Sequence, residues 1–262
     1  MKLLVDQGVG ALPTVVFVGN ADEEIGSPTS RQIIEREASD ADLVLVLEPG
    51  REPGSIQTTR KGVGMYEIVV KGRSAHAGSR PEDGRSAVLE LAHKTIALHG
   101  LTDFSTGTTV NVGVTQGGTR RNVVPERAEA SIDLRVTTAE TAALADRAIL
   151  EIAARGWVPD TTTEISGGLN RPPMEKGLGT DAALEVGRVI VNALGLELEE
   201  VSSGGGSDGN FTAALGVPTL DGLGPVGRNA HSPDEWLHVP SVPARLALLA
   251  GLIVNAPAFR RR

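Results

Sequence analysis

The chain has 262 residues, no cysteine and a formal net charge of −8, with 40% apolar but only 3% aromatic residues. This length suits one large domain or two modest ones, with a core built mainly from Val, Leu, Ile and Ala. The composition excludes disulfides, thiolate nucleophiles and cysteine-ligated zinc, and the negative charge argues against a nucleic-acid partner.

The first part of the chain predicts a βαβ unit. Residues 14–18 and 43–47 are apolar or β-branched runs typical of buried strands, and residues 28–39 between them predict a helix. Two strands joined by a helical crossover are expected to be parallel.

The middle of the chain, from about residue 62 to residue 170, has the pattern of a small antiparallel domain. Apolar residues alternate with polar ones along the predicted strands, which indicates half-exposed sheet. The order strand, helix, strand, strand, helix, strand is typical of a ferredoxin-like domain with one open sheet face. The predicted strands include residues 66–70, 110–114 and 128–136. The predicted helices are residues 85–98, with a buried stripe of Val88, Leu89, Leu91, Ala92 and Ile96, and a helix with a Thr137–Glu140 capping box that stops at Gly156.

After about Arg171 the chain returns to the parallel α/β pattern, with helices at residues 181–194 and 240–254, a short strand at 217–220 and another helix opened by the run 204–208. We therefore predict an α/β protein in which a smaller domain, residues 62–170, is inserted into a larger domain formed by residues 1–61 and 171–262.

Acidic residues follow both strands of the predicted βαβ unit. Glu23 and Glu24 come after the first strand, and Glu48 comes after the second. Ligand sites form at this edge of an open α/β sheet, and three carboxylates there would repel one another unless a cation lay between them. With His231 as an imidazole ligand, such a set suits zinc, cobalt or manganese. Each feature alone has a simpler reading, since isolated loop histidines and acidic surface clusters are common.

Three further features favour an anionic or amide substrate. The glycines 204–206 precede a predicted helix whose free N–H groups suit a carboxylate, and Arg135 on an exposed strand face is able to clamp one. His76 follows a strand and is suited to polarising a carbonyl. Alone, these are equally a tight turn, a solvated arginine and a plain loop histidine. We interpret the remaining histidines as structural or surface residues: His93, His99 and His238.

Seven short motifs occur together along almost the whole chain. They are Asp22–Ser27 (DEEIGS), Leu47–Pro49 (LEP), Ala75–Gly78 (AHAG), Asn122–Pro125 (NVVP), Asp133–Arg135 (DLR), Gly204–Asp208 (GGGSD) and His231–Pro233 (HSP). In this order they resemble the dinuclear zinc peptidases and aminoacylases, which include carboxypeptidase G, acetylornithine deacetylase and succinyl-diaminopimelate desuccinylase. The flow of motifs is most similar to the glutamate carboxypeptidase branch.

The resemblance implies a two-zinc catalytic domain with an inserted lid domain through which two copies dimerise. It implies hydrolysis of a peptide or an N-acyl amino acid beside a free carboxylate. The implied roles are Glu23 as general base, His76 as oxyanion donor, Glu24, Glu48 and His231 as metal ligands, and Asn122, Arg135, Gly204, Gly205 and Gly206 as substrate-binding residues.

The sequence also departs from the family pattern at its N-terminal end. The family has an upstream His-x-Asp and a bridging Asp, whereas only thirteen residues precede Thr14 here, and the one acid among them, Asp6, does not suit the bridge. We therefore expect an N-terminally truncated chain, with a catalytic domain incomplete at that end and apolar surface exposed. The alternative to an active enzyme is an inactive remnant that acts only as a dimerising module. The chain shows no signal peptide and no apolar run of about 20 residues, so we expect a cytoplasmic protein without a membrane partner.

Overall fold

The computed structural model describes residues 13–259, so the predictions concerning Asp6 and the segment before Pro13 lie outside the described residues. The chain forms two compact units. Unit 1 combines Met1–Arg60 with Pro173–Arg262, and unit 2 is Lys61–Pro172. The helices are α1 (Arg31–Ser39), α2 (Ala87–His99), α3 (Ala139–Ala154), α4 (Leu178–Ala193), α5 (Gly209–Ala214) and α6 (Val242–Asn255). The strands are β1 (Val44–Leu45), β2 (Ser55–Arg60), β3 (Gly62–Lys71), β4 (Thr109–Gly117), β5 (Arg127–Val136), β6 (Thr162–Arg171), β7 (Glu199–Ser203), β8 (Thr219–Leu220), β9 (Gly227–Arg228) and β10 (Trp236–Leu237).

Unit 1 is built on short parallel strand pairs. Strand β1 pairs with β8, and β2 pairs with β7. Gln57 of β2 and Asp221, the residue after β8, exchange two backbone hydrogen bonds of 2.9 Å, which joins the two pairs. Helices α4 and α6 cover this framework with an apolar core. Its buried members are Ile56, Ala183, Leu184, Val191, Leu220, Leu223, Leu248, Leu252 and Phe259.

The prediction of a buried strand at residues 14–18 is wrong. No strand is assigned there, and Phe17 is 82% exposed, with Val15, Val16 and Val18 also exposed. An apolar β-branched run forms a buried strand only where neighbouring backbone pairs with it and side chains cover it. Neither is present for this segment among residues 13–259, so the predicted βαβ unit is not formed.

Local sequence patterns do not predict the pairing of β2 with β7. Strand β2 carries Gln57, Thr58 and Arg60, all of them buried. A short run of polar residues predicts an exposed loop if burial is judged from hydrophobicity alone. Thr58 and Arg60 are buried with side-chain partners inside unit 1, because Thr58 Oγ1 donates to Glu200 and the Arg60 guanidinium donates to Asp221.

Unit 2 confirms the predicted ferredoxin-like arrangement. Its four antiparallel strands lie in the order β4-β5-β3-β6, and the core lies between the sheet and helices α2 and α3. The alternation along β5 is confirmed, because every second residue from Ala128 to Val136 is buried and the residues between them are not. The capping box of α3 is formed by Thr138 and Thr141, one residue later than predicted.

One position of strand β4 differs from its predicted face. A bulge between Val112 and Val114 shifts the register, so that Val112 pairs with Ile132 but Val114 pairs with Ser131. A one-residue insertion turns the following side chains to the other face of a strand. Val114 is consequently 50% exposed, whereas Val110 lies in the core.

Helix α2 buries a different face from the one predicted. Its buried residues include the charged pair Glu90 and Lys94 together with Leu91. Val88, Leu89 and Ile96, predicted to be buried, are 40%, 51% and 75% exposed. Charged residues are rarely buried in proteins unless they are paired and hydrogen-bonded. The partners of Glu90 and Lys94 therefore explain why the charged face of α2 is buried and the apolar face is exposed.

The segment Val239–Phe259, which contains α6, is 21 residues long with a mean hydropathy of 1.6, long and apolar enough to span a membrane. This corrects the expectation that no run approaches that length. In unit 1 one side of the helix packs into the core, where Leu248 and Leu252 are buried, while Leu246 on the same helix is 53% exposed. Arg245 on the same helix is buried and donates to backbone carbonyls, among them Ser55 O at 2.7 Å.

Candidate active site

The predicted acidic residues of unit 1 lie at the ends of two neighbouring segments. Glu23 and Glu24 begin a short 3-10 turn, Glu23–Ile25, which precedes α1, and Glu48 follows β1. Burial and, after it, the negative charges of Asp221, Glu23 and Glu24 together raise the pKa of Glu48 from 4.5 to about 7. The carboxylates are therefore close enough to repel one another, as the sequence analysis expected.

His231 lies in the loop between β9 and β10. Its Nδ1 atom is 3.8 Å from Oε2 of Glu24, and both side chains are about three-quarters exposed. His231 has a φ of 63°, and Asn229 beside it has a φ of 60°. Non-glycine residues rarely adopt this left-handed conformation, and such strain is concentrated at functional sites. The structure thus brings together the predicted ligands Glu24 and His231.

The described residues do not fit a complete two-metal site. Two ligands of one zinc ion lie roughly 3.4 Å apart, since each is about 2.1 Å from the metal, so Glu24 and His231 are suitably spaced. Catalytic zinc usually has three protein ligands. Within residues 13–259, however, no group of three or more His, Asp and Glu side chains is placed to hold one ion.

Two aspartates that the sequence analysis left without a role organise this acidic turn. Asp22 accepts hydrogen bonds from Thr29 N at 2.8 Å and from Ser30 Oγ at 2.5 Å. Hydrogen bonds from Ser30 and Thr29 hold the pKa of Asp22 well below its ordinary value. Asp208 accepts from Asn20 Nδ2 at 2.7 Å and from Ser27 Oγ at 2.5 Å. Asp22 lies in the motif DEEIGS and Asp208 lies in the motif GGGSD. Their presence in these motifs is the sequence signal that points to a role in the site.

The glycine loop, Gly204–Gly206, connects β7 to α5. Helix α5 has only six residues, and the first amides after the loop already have acceptors. Ser207 N donates to Asn210 Oδ1 at 2.8 Å, and Gly209 N donates to Ser207 Oγ at 3.0 Å. The predicted free N–H groups at the start of a helix are therefore not available there, and any ligand must use the loop itself.

The predicted lid residues lie in unit 2. His76 and Asn122 are on adjacent loops, because His76 forms a β-bridge with Val123 and Ala77 N donates to Asn122 O at 3.0 Å. The Nδ1 atom of His76 accepts hydrogen bonds from Gly78 N and Ser79 N, both at 3.1 Å. An accepting Nδ1 leaves the ring proton on Nε2, so His76 is oriented as a hydrogen-bond donor.

Arg135 already has a carboxylate partner. It lies on the solvated face of β5 as predicted, and its guanidinium forks onto Asp133, with Nε–Oδ1 and Nη2–Oδ2 distances of 2.8 Å. A substrate carboxylate that binds Arg135 would have to share the guanidinium with Asp133 or displace Asp133 from it. The other histidines agree with surface or structural roles, as His93 stacks on Trp157 with ring centroids 6.0 Å apart.

Comparison with known proteins identifies the family. Residues 58–161 match the family model of the M20 peptidase dimerisation domain. The chain is 30% identical over 266 residues to carboxypeptidase G2 from Pseudomonas sp. (strain RS-16), an alignment that covers 98% of this chain and 63% of that protein. The chain thus spans less than two-thirds of this relative.

Solved structures agree with this result. Aminopeptidase PepT from Bacillus cereus superimposes with a TM-score of 0.81 at 25% identity, covering 98% of this chain and 68% of that one. The fold is also that of the Bacillus subtilis YXEP protein, described as a dinuclear metal-binding peptidase, with a TM-score of 0.62 at 20% identity over 88% of this chain and 62% of that one. Residues 58–161 therefore belong to the M20 peptidase dimerisation-domain family, and the chain as a whole is similar to M20 peptidases.

Proposed function

We propose that the protein hydrolyses a peptide or N-acyl amino acid amide bond that lies beside a free carboxylate. The observation that carries this proposal is the acidic site of unit 1, where Oε2 of Glu24 lies 3.8 Å from Nδ1 of His231. Burial, together with neighbouring carboxylates, raises the pKa of Glu48 there to about 7. The likeness to a carboxypeptidase and an aminopeptidase supports hydrolysis of this class of bond.

In this proposal each candidate residue has a defined task. Glu23 accepts a proton from the attacking water, and His76 donates its Nε2–H to the developing oxyanion. Asn122, Arg135 and the glycine loop bind the substrate. The free carboxylate of the substrate is assigned to Arg135, for which it competes with Asp133.

We propose zinc as the cofactor, with cobalt or manganese as alternatives that suit the same oxygen and imidazole ligands. A bound metal would supply a Lewis acid at the scissile carbonyl. We assign Glu24 and His231 to one ion, which their separation of 3.8 Å supports, and Glu48 to a second. Because residues 13–259 do not complete either ligand set, we assign no catalytic step to the metal.

The alternative function is that of a catalytically inactive module that only dimerises. It is favoured by the incomplete ligand set and by the family-model match, which falls on the dimerisation domain at residues 58–161. Metal content and hydrolysis distinguish the two functions. After zinc loading and dialysis, about two bound ions per chain together with turnover of N-acyl amino acids would support the enzyme. If the protein neither binds metal nor turns over these substrates, the dimerising module is the function that remains.

The first variant to test the enzyme is Glu23→Gln. Loss of a general base is expected to lower kcat by about 10²- to 10⁴-fold while the bound metal is unchanged. Glu185→Gln, on the exposed surface of α4, is the matched control and is expected to keep wild-type turnover. Wild-type turnover in Glu23→Gln would refute its assignment as the base.

We propose that the partner of unit 2 is a second copy of the chain. Along β4 only one edge is paired, to β5, among residues 13–259. Beside the open edge, Val88, Leu91, Ala92, Thr95 and Ile96 of α2 form a shallow groove with Thr115–Gly117. An open strand edge beside exposed apolar side chains is the kind of surface that pairs with another chain. The cytoplasmic location and the absence of nucleic-acid and membrane partners stay predictions.

A further inference from the structure

Arg60 is a buried cation that the proposed mechanism does not use. It ends β2, is 7% exposed, and its fork binds both carboxylate oxygens of Asp221, with Nε–Oδ2 and Nη2–Oδ1 distances of 2.6 and 2.9 Å. Asp221 itself is fully buried. The backbone of Arg60 is also constrained, because Arg60 and Met174 exchange two backbone hydrogen bonds of 3.2 and 3.0 Å. The guanidinium is therefore held in one position.

The remaining nitrogen of this guanidinium reaches the glycine loop. Arg60 Nη1 donates to Gly205 O at 3.3 Å. The C=O and N–H of a trans peptide point in opposite directions, so a Gly205 carbonyl that faces Arg60 turns the Gly206 N–H away from it. Among residues 13–259, no acceptor is found for this N–H. Ser207 reinforces the geometry from the next residue, because its Oγ donates to Asp221 Oδ2 at 2.5 Å.

The loop leaves room for a ligand beside this N–H. A Cβ atom placed on Gly204 would meet nothing within 4 Å, and one on Gly205 would meet only Ser203 Oγ, at 3.7 Å. Neither glycine has a positive φ. The fold of unit 1 therefore does not require glycine at these two positions. Glycine there does allow a ligand to approach the backbone closely.

We propose that Arg60 is a positioning residue for substrate, which acts by fixing the Gly205–Gly206 peptide so that the Gly206 N–H donates to a carboxylate or acyl oxygen of the substrate. This inference rests on the proposed function. It differs from a site at the start of α5, whose amides are already bonded within the chain. Lysine cannot replace Arg60, because a single ammonium cannot fork onto Asp221 and reach Gly205 at once.

The test compares Arg60→Lys with Arg245→Lys. Arg245 is a matched control because it is also buried in unit 1 and donates to backbone carbonyls, but not to the glycine loop. In ¹⁵N-glycine spectra, titration of the wild type with N-acetylglutamate is expected to shift the Gly206 amide. Arg60→Lys is expected to weaken this binding about tenfold, the effect of losing one charge-assisted hydrogen bond, and to raise KM more than it lowers kcat. Arg245→Lys is expected to bind as the wild type does.

The outcomes separate this inference from the proposed function. Binding that shifts other loop amides but not Gly206 in the wild type, or equal weakening by both variants, would overturn the role of Arg60. If N-acetylglutamate does not bind the wild type, the proposed function fails, and amide hydrogen exchange then decides the role of Arg60. Faster exchange at Gly205–Ser207 in Arg60→Lys than in Arg245→Lys supports it, and equal exchange refutes it.

Discussion

At the scale of single residues, the candidate site depends on how carboxylates and an imidazole are held. Asp22 and Asp208 brace the turn that carries Glu23 and Glu24, through hydrogen bonds from Thr29, Ser30, Asn20 and Ser27. These neutral donors favour the ionised aspartates without cancelling the charge of the glutamates. The turn is thus stabilised by groups that leave its negative charge in place.

Glu48 should make the metal-free protein less stable as the pH rises. Its pKa is raised from 4.5 to about 7 by burial and by Asp221, Glu23 and Glu24, so the folded state favours the protonated form. The stability that this preference contributes is complete below pH 4.5 and is lost as the pH rises through 7. Relative to Glu48→Gln, the wild type is expected to lose about 1 kcal/mol across this range, since solvent screens part of the repulsion. Urea unfolding of the wild type and of Glu48→Gln at several pH values measures this loss of stability. A difference in unfolding free energy that does not change with pH would contradict the prediction.

His76 should act through the proton on its Nε2 atom. Asn in its place keeps an oxygen where Nδ1 accepts from Gly78 N and Ser79 N, but it has no donor at the Nε2 position. His76→Asn is therefore expected to preserve the loop and still lower kcat about 10²-fold. Imidazole ¹⁵N shifts of the wild type are expected to show the Nε2–H tautomer. An Nδ1–H tautomer, or full activity in His76→Asn, would exclude this role.

At the scale of elements, helix α2 shows why buried charge is possible in unit 2. Lys94 lies 3.0 Å from Glu90 and donates to the carbonyls of Ile152, Ala153 and Arg155 at the end of α3. Glu90 accepts from the amides of Trp157 and Val158. The pair therefore satisfies backbone groups that the last turn of α3 leaves without partners. The opposite, apolar side of α2 stays on the surface.

Removal of one member of this pair should be costly. Lys94→Met leaves Glu90 without its cation and three carbonyls without a donor, so the free energy of unfolding is expected to fall by about 3 kcal/mol. Lys71→Met is the control, since its pair with Glu164 is exposed to solvent and is expected to change the free energy of unfolding much less than the buried pair does. Denaturant unfolding compares the two variants. Equal losses would show that the buried pair does not stabilise the end of α3.

At the scale of the whole molecule, the chain combines a unit with an acidic candidate site and a unit that carries an apolar groove. Each has its own core, that of unit 1 between parallel strand pairs and α4 with α6, and that of unit 2 beneath an antiparallel sheet. Exposed apolar residues occur in both, at Val15–Val18 in unit 1 and at Val88, Leu89 and Ile96 in unit 2. Apolar surface of this kind is typical of sites that another polypeptide covers.

The groove of unit 2 should determine the oligomeric state. Ile96→Glu places a charge in the proposed interface and is expected to convert a dimer into a monomer, because burying an unpaired carboxylate is costly. Leu144→Glu is the control, since Leu144 is 56% exposed on α3 and does not line the groove. Sedimentation velocity distinguishes the two states. A monomeric wild type, or a dimer in both variants, would exclude this surface.

The sequence by itself determined the fold class, the order of elements in unit 2 and the residues that the motifs single out. Strict alternation along residues 127–136 identifies a half-exposed strand wherever it occurs, because the side-chain period of a strand is two. The conjunction of seven motifs likewise identified the family without reference to the structure.

Only the tertiary structure decided which faces are buried and how the site residues are held. Val88 and Ile96 are exposed while Glu90 and Lys94 are buried, since the partners of the charged pair come from α3 and the segment after it. Val15–Val18 is exposed despite its composition, because no strand pairs with it among residues 13–259. The role of Arg60 depends on its contacts with Asp221 and Gly205, which are far away in the sequence. Burial and hydrogen bonding depend on long-range neighbours, and local sequence patterns do not contain that information.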